Sequence, residues 1–178
     1  MPRIHILGAS GSGATTLGEA LASELSLPHE DTDRYFWKPT DPPFTEFRPV
    51  EERMALLLPR LPENGDWILS GCACNWGGPL EPRYSLVVFL KLDPALRMER
   101  LRRRELSRYG ARIEPGGDLE AGSRQFLDWA ASYDQGGLDQ RSLALHESWL
   151  AARTCPVLRL DSASPTATLM AAVLAASG

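Results

Sequence analysis

Short apolar runs alternate along this chain with longer segments in which apolar residues recur every three or four positions. The apolar runs predict strands at 3–7, 67–70, 86–90 and 156–160, and residues 27–30 predict a weaker second strand. The run at 86–90 contains no polar position, which is typical of a central parallel strand covered on both faces.

Helical periodicity follows most of these strands. The predicted helices lie at 15–25, 49–60, 94–109, 119–131, 140–152 and 165–176. The segment Tyr35–Arg48 is rich in proline and aromatic residues, so we expect an irregular loop there, and glycines break the pattern at 110–117. Alternating strands and helices predict an α/β fold of three layers, α/β/α, around a parallel sheet. A length of 178 residues suits a single domain, 1–178.

The composition of the chain argues against some classes of binding partner. The net charge of −4 provides no general basic field, which argues against a nucleic-acid partner. Arginines nevertheless crowd the segment 97–112, and such a cluster suits a small anionic ligand. Three cysteines without framework spacing favour a reduced, cytoplasmic protein. The sequence shows no signal peptide, transmembrane run or lipidation motif, so we expect no membrane partner.

A glycine-rich segment follows the first strand and precedes the first helix. Residues 8–15, Gly-Ala-Ser-Gly-Ser-Gly-Ala-Thr, fit the phosphate-loop pattern G-x-x-x-x-G-K-[ST] at every position except Ala14. Backbone N–H groups of such a loop surround phosphate oxygens, and the hydroxyl of Thr15 is placed to bind Mg²⁺. The predicted phosphate-binding residues are Gly8, Ser10, Gly11, Ser12, Gly13, Ala14, Thr15 and Thr16.

This segment has two other interpretations. A strand-to-helix turn can require glycines for steric reasons alone. A dinucleotide-binding loop needs G-x-G-x-x-G, which the sequence does not complete because residue 16 is threonine. Ala14 replaces the lysine that steers the β and γ phosphates, and the chain contains only Lys38 and Lys91 elsewhere. Either an arginine supplies the missing charge, or catalysis is weak or absent.

The whole chain resembles a known family. The phosphate loop, the triplet Asp31-Thr32-Asp33, the arginine-rich helix and the late Arg141 together resemble adenylate-kinase-like small-molecule kinases. The stretches "DTD..FW" and "PGGD" more closely resemble uncharacterised adenylate-kinase-related or FlaR-type topology modulation proteins. The resemblance, which extends to shikimate and nucleoside-monophosphate kinases, implies a five-stranded parallel sheet in the order 2-3-1-4-5. It also implies ATP and Mg²⁺ as cofactors.

The resemblance further implies roles for individual residues. Asp31 would help hold Mg²⁺, and Asp33 would contact the acceptor hydroxyl; the alternative for both is a helix cap or a solvated turn. Arg100 would lie against the adenine, whereas Arg104 and Arg141 would reach phosphates, Arg141 from the start of the helix after the lid. A short helical lid is expected at about 108–138, with Arg112 as a possible lid arginine. The neighbouring arginines are expected on a solvated basic face: Arg97, Arg102 and Arg103.

Three further features of the sequence are weaker indicators of function: the end of strand three, the cysteine pair and the loop aromatics. Strand three ends in Ser70-Gly71, without the aspartate that many phosphate-loop proteins carry there. Cys72-x-Cys74 lacks a second cysteine pair, so a small-residue loop is a better explanation than a metal site. The aromatics of two loops could form a pocket for a flat ring, or could only close a small core: Tyr35, Phe36, Trp37, Phe44, Phe47 and Trp76.

Together these observations predict an ATP- and Mg²⁺-dependent phosphotransferase that binds a nucleotide and a small hydroxyl- or phosphate-bearing acceptor. The alternative is a nucleotide-binding regulatory protein with little or no catalysis, which Ala14 favours. A DNA-acting role finds little support in an acidic chain that lacks a DNA-binding motif.

Overall fold

A computed structural model describes residues 2–178. Five strands form one parallel sheet in the order β2-β3-β1-β4-β5, which confirms the predicted architecture. The strands are β1 (Arg3–Gly8), β2 (His29–Asp31), β3 (Trp67–Ser70), β4 (Leu86–Lys91) and β5 (Val157–Asp161). The carboxyl ends of parallel strands share one edge, and this edge carries the phosphate loop and the DTD segment.

Within residues 2–178, seven α-helices surround the sheet. They are α1 (Ala14–Leu25), α2 (Thr32–Phe36), α3 (Val50–Leu57), α4 (Pro94–Tyr109), α5 (Glu120–Ala131), α6 (Leu143–Ala151) and α7 (Thr166–Ser177). Short 3₁₀ helices lie at Leu58–Arg60, Gly78–Arg83, Gly110–Ile113 and Ser132–Asp134. Among residues 2–178, none of the helices combines the length and the apolarity that crossing a membrane requires.

The sheet buries both of its faces, as the unbroken apolar run of β4 predicts. Alternate residues of β1 serve opposite sides: Ile4 and Ile6 pack toward α1 and α7, whereas Leu7 joins the core on the other side. That second core includes Trp67 and Phe89 of the sheet, with residues of α3 and α6 packed against them. The sheet is therefore packed between two helical layers, which fix the position of the residues at its carboxyl edge.

The region after β2 differs from the prediction. Residues 32–36 form helix α2, although Tyr35 and Phe36 were expected in an irregular loop. Asp31 caps this helix, because its side chain accepts a hydrogen bond from the Asp33 backbone N–H at 2.9 Å. Asp33 consequently lies in the first turn of a helix rather than at the end of a strand. A helix of five residues is too short to produce a recognisable periodicity.

The start of α6 also differs. The helix begins at Leu143 instead of Gln140, because the Ser142 hydroxyl accepts a hydrogen bond from the Leu145 backbone N–H at 3.0 Å and ends the preceding loop. Arg141 therefore lies in a bend just before the helix, and not in its first turn.

Candidate active site

The phosphate loop joins β1 to α1 through a tightly turned backbone. Gly11 and Gly13 have φ values of 84° and 89°, a left-handed conformation that side chains rarely adopt. A Cβ atom on Gly8 would lie 2.5 Å from Ser12 Oγ and 2.6 Å from the Leu90 carbonyl oxygen, so only glycine fits there. The loop ends at the amino terminus of α1, whose positive end favours an anion.

Two side-chain hydroxyl groups converge on one carboxylate oxygen beside this loop. Thr15 Oγ1 donates a hydrogen bond to Asp31 Oδ2 at 2.6 Å, and Ser70 Oγ donates to the same oxygen at 2.8 Å. Asp31 and Ser70 are direct partners in the register of β2 and β3. The two residues expected to bind metal, Thr15 and Asp31, are thus brought together by the fold. A threonine hydroxyl and a carboxylate are hard oxygen ligands of the kind Mg²⁺ prefers.

Ser70 is a site residue that the sequence reasoning did not select. It is fully buried, and its Oγ also lies 2.9 Å from His29 Nε2. Burial lowers the pKa of His29, which keeps the ring neutral near physiological pH. The predicted strand order already placed β3 beside β2, so the adjacency of Ser70 to Asp31 was available as a signal.

Asp33 faces the same side of the site. Asp33 is exposed, yet the surrounding protein displaces enough water to raise the pKa of its carboxyl. The Asp31 carboxylate adds to this rise, whereas the positive charges of Arg141 and Arg104 oppose it. The two arginines expected at the phosphates therefore act electrostatically on the expected acceptor-binding carboxylate.

Arg141 reaches the phosphate loop itself. Its Nη2 donates a hydrogen bond to the Gly8 carbonyl oxygen at 2.7 Å, and its buried Nε has no partner among residues 2–178. A small cleft at this point is lined by Ser10, Trp129, Ala130, Tyr133 and Arg141. The guanidinium thus provides a positive charge at the loop.

Neither lysine of the chain takes the place that Ala14 leaves. Lys38 Nζ pairs with Glu46 at 3.2 Å, and Lys91 Nζ pairs with Glu147 at 3.6 Å. Arg141 is therefore the cation that the structure places in direct contact with the loop.

The arginines of α4 separate into distinct environments. Arg100 Nη1 donates to the Ser162 carbonyl oxygen at 3.2 Å, just beyond the end of β5. Arg104 is exposed, with its Cζ 5.8 Å from the centre of the Phe126 ring in α5. The structure therefore directs Arg100 toward the loop after β5 and Arg104 toward α5.

Arg97 was expected on a solvated face, and that expectation is wrong. It is buried, and its Nη2 lies 2.7 Å from Asp134 Oδ2. Its Cζ also lies 4.9 Å from the centre of the Tyr133 ring. Because the ring and the carboxylate sequester this guanidinium, Arg97 serves packing. Arg102 and Arg103 are exposed, as expected.

The segment 108–138, which was expected to form a lid, contains its own ion pair. Arg112 donates to Asp118 from Nε at 3.1 Å and from Nη2 at 2.6 Å. Helix α5 packs on α4 through an apolar cluster that includes Phe126, Ala130 and Leu101. Arg112 is thus neutralised by Asp118 and does not contact the phosphate loop.

Some of the loop aromatics pack in a core, and others do not. Tyr35 and Trp76 are buried in the main core, which agrees with a packing role. Phe44 and Phe47 are instead 44% and 64% exposed, so they do not close a core. Phe36 lies between these groups and contacts Trp37 edge to face, with ring centres 4.9 Å apart.

Arg53 of α3 is a second candidate that sequence reasoning missed. It is 6% exposed, its Cζ lies 3.9 Å above the centre of the Phe36 ring, and Trp76 is close by at 5.6 Å. Its Nε donates to the Arg48 carbonyl oxygen at 2.7 Å, but no carboxylate within residues 2–178 pairs with it. Arg53 and Leu57 share one buried helix face. The sequence could have revealed Arg53, because it is an arginine among the apolar positions of a predicted helix.

Comparisons with known proteins agree with this geometry. The AAA_18 family, described as an AAA domain, matches residues 4–122. The chain is 48% identical to the uncharacterized protein YqaC of Bacillus subtilis over 158 residues, which cover 89% of this chain and 87% of that protein. It is 36% identical to a shikimate kinase of Bacteroides fragilis over 115 residues, which cover 57% of this chain and 63% of that enzyme.

A solved structure shows the same fold. The gluconokinase of Sinorhizobium meliloti superimposes with a TM-score of 0.53 at 19% identity, covering 98% of this chain and 90% of that one. At this identity the likeness shows the fold alone, and the family follows from the AAA_18 match and the sequence relatives. The chain belongs to the adenylate-kinase-like and shikimate-kinase-like P-loop family.

Proposed function

We propose that this protein is an ATP- and Mg²⁺-dependent phosphotransferase that acts on a small hydroxyl-bearing acceptor. One observation carries the proposal: Asp31 is bonded to Thr15 of the phosphate loop, and Asp33 follows it on a helix that Asp31 caps. In this proposal Asp31 would bind the metal and Asp33 would act as the base, both at the phosphate end of the sheet.

Residues of the chain fit the nucleotide. Gly8, Ser10, Gly11, Ser12, Gly13, Ala14, Thr15 and Thr16 would surround its phosphates. Ser12 Oγ is buried without a partner, as expected of a loop that holds a polar ligand. Arg100 lies by the loop after β5, where the Ser162 hydroxyl is also buried and unpartnered. This end of the site would receive the base, stacked on the plane of the guanidinium.

The oxygen set of Thr15 and Asp31 fits Mg²⁺. When bound, the ion would neutralise charge on the transferred phosphoryl group. Ser70 holds Asp31 in place from β3, and so takes over part of the orienting role that an aspartate at that position has in other phosphate-loop proteins. The metal proposal therefore rests on residues that already contact one another.

Asp33 is proposed as the acceptor-binding residue and base. Its raised pKa makes its carboxylate a better acceptor for a hydroxyl proton than an ordinary aspartate. As the acceptor oxygen forms its bond to the γ-phosphorus, the bond to the β-γ bridging oxygen breaks, ADP leaves, and Asp33 receives the hydroxyl proton. Arg141 and Arg104 would stabilise the charge that spreads over the phosphoryl oxygens.

Arg53 supports an acceptor that carries an anionic group. Its guanidinium is buried over Phe36, one helical turn along α2 from Asp33, and burial lowers its pKa. A buried cation without a carboxylate partner is costly, and an anion on the acceptor would satisfy it. The exposed Phe44 and Phe47 border the same loop and would cover the acceptor.

Residues of about 108–138 are proposed to act as a lid within the single domain 1–178. This region contains Gly110 and Gly116, which have positive φ values, and it ends at the cleft lined by Tyr133. A closing lid would exclude water and would protect the phosphoryl group from hydrolysis.

Ala14 favours a second candidate, a nucleotide-binding regulatory protein that does not transfer phosphate. Calorimetry and turnover distinguish the two. We expect ADP release from Mg·ATP to depend on an acceptor in a panel of hydroxy acids, sugars and nucleotides, and to vanish in Asp33→Asn. Tight binding of Mg·ATP without acceptor-dependent ADP release from any member of the panel would support the regulatory function instead.

A further inference from the structure

A second cluster of chemically reactive side chains lies behind the phosphate site. Cys72 and Cys74 follow β3, and His146 lies in α6. The two sulfur atoms and a ring nitrogen of His146 all lie within 4.8 Å of one another. His146 is fully buried and Cys74 is 5% exposed, so this group is part of the interior. The cluster plays no part in the proposed phosphoryl transfer.

We propose that Cys72, Cys74 and His146 bind a thiophilic divalent cation, Zn²⁺, with one coordination position left open. Tetrahedral zinc with bonds of about 2.3 Å to sulfur and 2.0 Å to nitrogen separates these ligand atoms by about 3.5 Å. Cys72 Sγ lies 3.4 Å from His146 Nε2, so this pair needs almost no adjustment.

The second ring nitrogen of His146 is held in the way that metal-binding histidines require. Tyr133 Oη lies 2.7 Å from His146 Nδ1. A partner on the far nitrogen fixes the ring orientation and leaves Nε2 directed at the cluster. Phe89 also contacts the ring edge to face at 5.8 Å between centres, which limits its rotation. The imidazole is thus oriented before any metal binds.

Charge balance favours a dication with two thiolates. Binding of Zn²⁺ would displace the protons of both thiols, which are released to solvent, and the resulting Zn²⁺, two thiolates and neutral imidazole carry no net charge. A neutral centre suits a buried position better than isolated ions do.

The site would join two segments that position the phosphate chemistry. Cys72 comes two residues after Ser70, which holds Asp31, and His146 lies in the helix that directly follows Arg141. Bound Zn²⁺ would therefore fasten the loop after β3 to α6. This role is structural, and it stands whether or not the protein transfers phosphate.

The experiment is a metal titration of the reduced full chain, stripped of metal and saturated with Mg²⁺ so that Asp31 is occupied. Zn²⁺ is added in competition with a chromogenic chelator. We expect one equivalent to bind to the wild-type chain and to Cys155→Ser, the matched control that removes the third cysteine, which does not belong to the ligand cluster. Cys72→Ser and Cys74→Ser should each weaken binding at least ~100-fold, and Tyr133→Phe should weaken it about 10-fold.

A cobalt titration of the wild-type chain covers the case in which a cysteine variant fails to fold. One equivalent of Co²⁺ should produce a thiolate-to-metal charge-transfer band that Zn²⁺ then removes. Uptake of less than a tenth of an equivalent of Zn²⁺, a Co²⁺ spectrum without that band, or equal losses in Cys155→Ser and Cys72→Ser would each overturn the proposal.

Discussion

Arg141 Nη2 donates a hydrogen bond to the carbonyl oxygen of Gly8 at 2.7 Å, although 133 residues separate the two along the chain. Gly8 begins the phosphate loop in which Ala14 stands where a lysine is usual. The contact therefore brings a cation to the loop from the far end of the sequence. It provides a physical route by which a lysine-less loop could still support phosphoryl transfer.

Replacement of Arg141 by alanine should lower kcat about 10³-fold, because an arginine at the transferred phosphoryl group is worth that much or more in related chemistry. The measurement is steady-state ADP release with the acceptor identified in the panel. Arg124→Ala is the matched control, since Arg124 is exposed and pairs only with Glu120 in α5. Equal rates in the wild type and Arg141→Ala would show that this arginine does not replace the lysine.

Arg104 should also contribute, more weakly. Its charge acts on Asp33, but it is exposed and contacts the lid through Phe126 rather than the loop. We expect Arg104→Ala to reduce kcat/KM about 10-fold, and Arg103→Ala, its exposed neighbour on α4, to leave it unchanged. Full activity in Arg104→Ala would remove this residue from the site.

Asp31→Asn should raise the Mg²⁺ concentration needed for half-maximal activity at least ~10-fold, because the amide is a poorer ligand than the carboxylate. Asp93→Asn is the matched control: Asp93 also caps a helix, by accepting bonds from the backbone N–H groups of Ala95 and Leu96, but the Thr15 hydroxyl donates to Asp31 and not to Asp93. Both variants should lose similar stability. The Mg²⁺ assignment would fail if the two variants showed the same Mg²⁺ dependence.

The pH dependence of kcat/KM should report the ionisation of Asp33. Because its pKa is raised and its ionised form accepts the proton, kcat/KM should fall as the pH drops through that pKa, at a higher pH than for an ordinary aspartate. Loss of the opposing cation in Arg104→Ala raises the pKa further, so the acid limb should move to still higher pH. Asp33→Asn should cost ~10²-fold to 10⁴-fold in kcat at unchanged melting temperature. An acid limb that stays in place in Arg104→Ala would argue against this coupling.

The fold was predictable because its signals are local and redundant. The apolar runs of β1, β3 and β4 and the glycines of the phosphate loop each indicate the same parallel sheet. The phosphate loop was predictable as well, because its left-handed backbone at Gly11 and Gly13 requires glycine.

Side-chain partners in the site were harder to predict because they depend on tertiary contacts. Arg97 and Arg100 have similar sequence surroundings on α4, yet Asp134 and Tyr133 bury the first, and the second reaches Ser162. Helix α2 was missed because it is stabilised by one cap, from Asp31, rather than by periodicity.

The central claim is that the loop binds nucleotide phosphates without a lysine, and calorimetry with Mg·ATP tests it most directly. Gly13 and Gly116 both have left-handed φ values and open space where a Cβ would lie, but only Gly13 belongs to the phosphate loop. The account predicts that the wild type and Gly116→Ala bind one Mg·ATP per chain and that Gly13→Ala binds it at least ~10-fold more weakly. Absence of binding to the wild type at millimolar Mg·ATP, or unaltered affinity in Gly13→Ala, would contradict it.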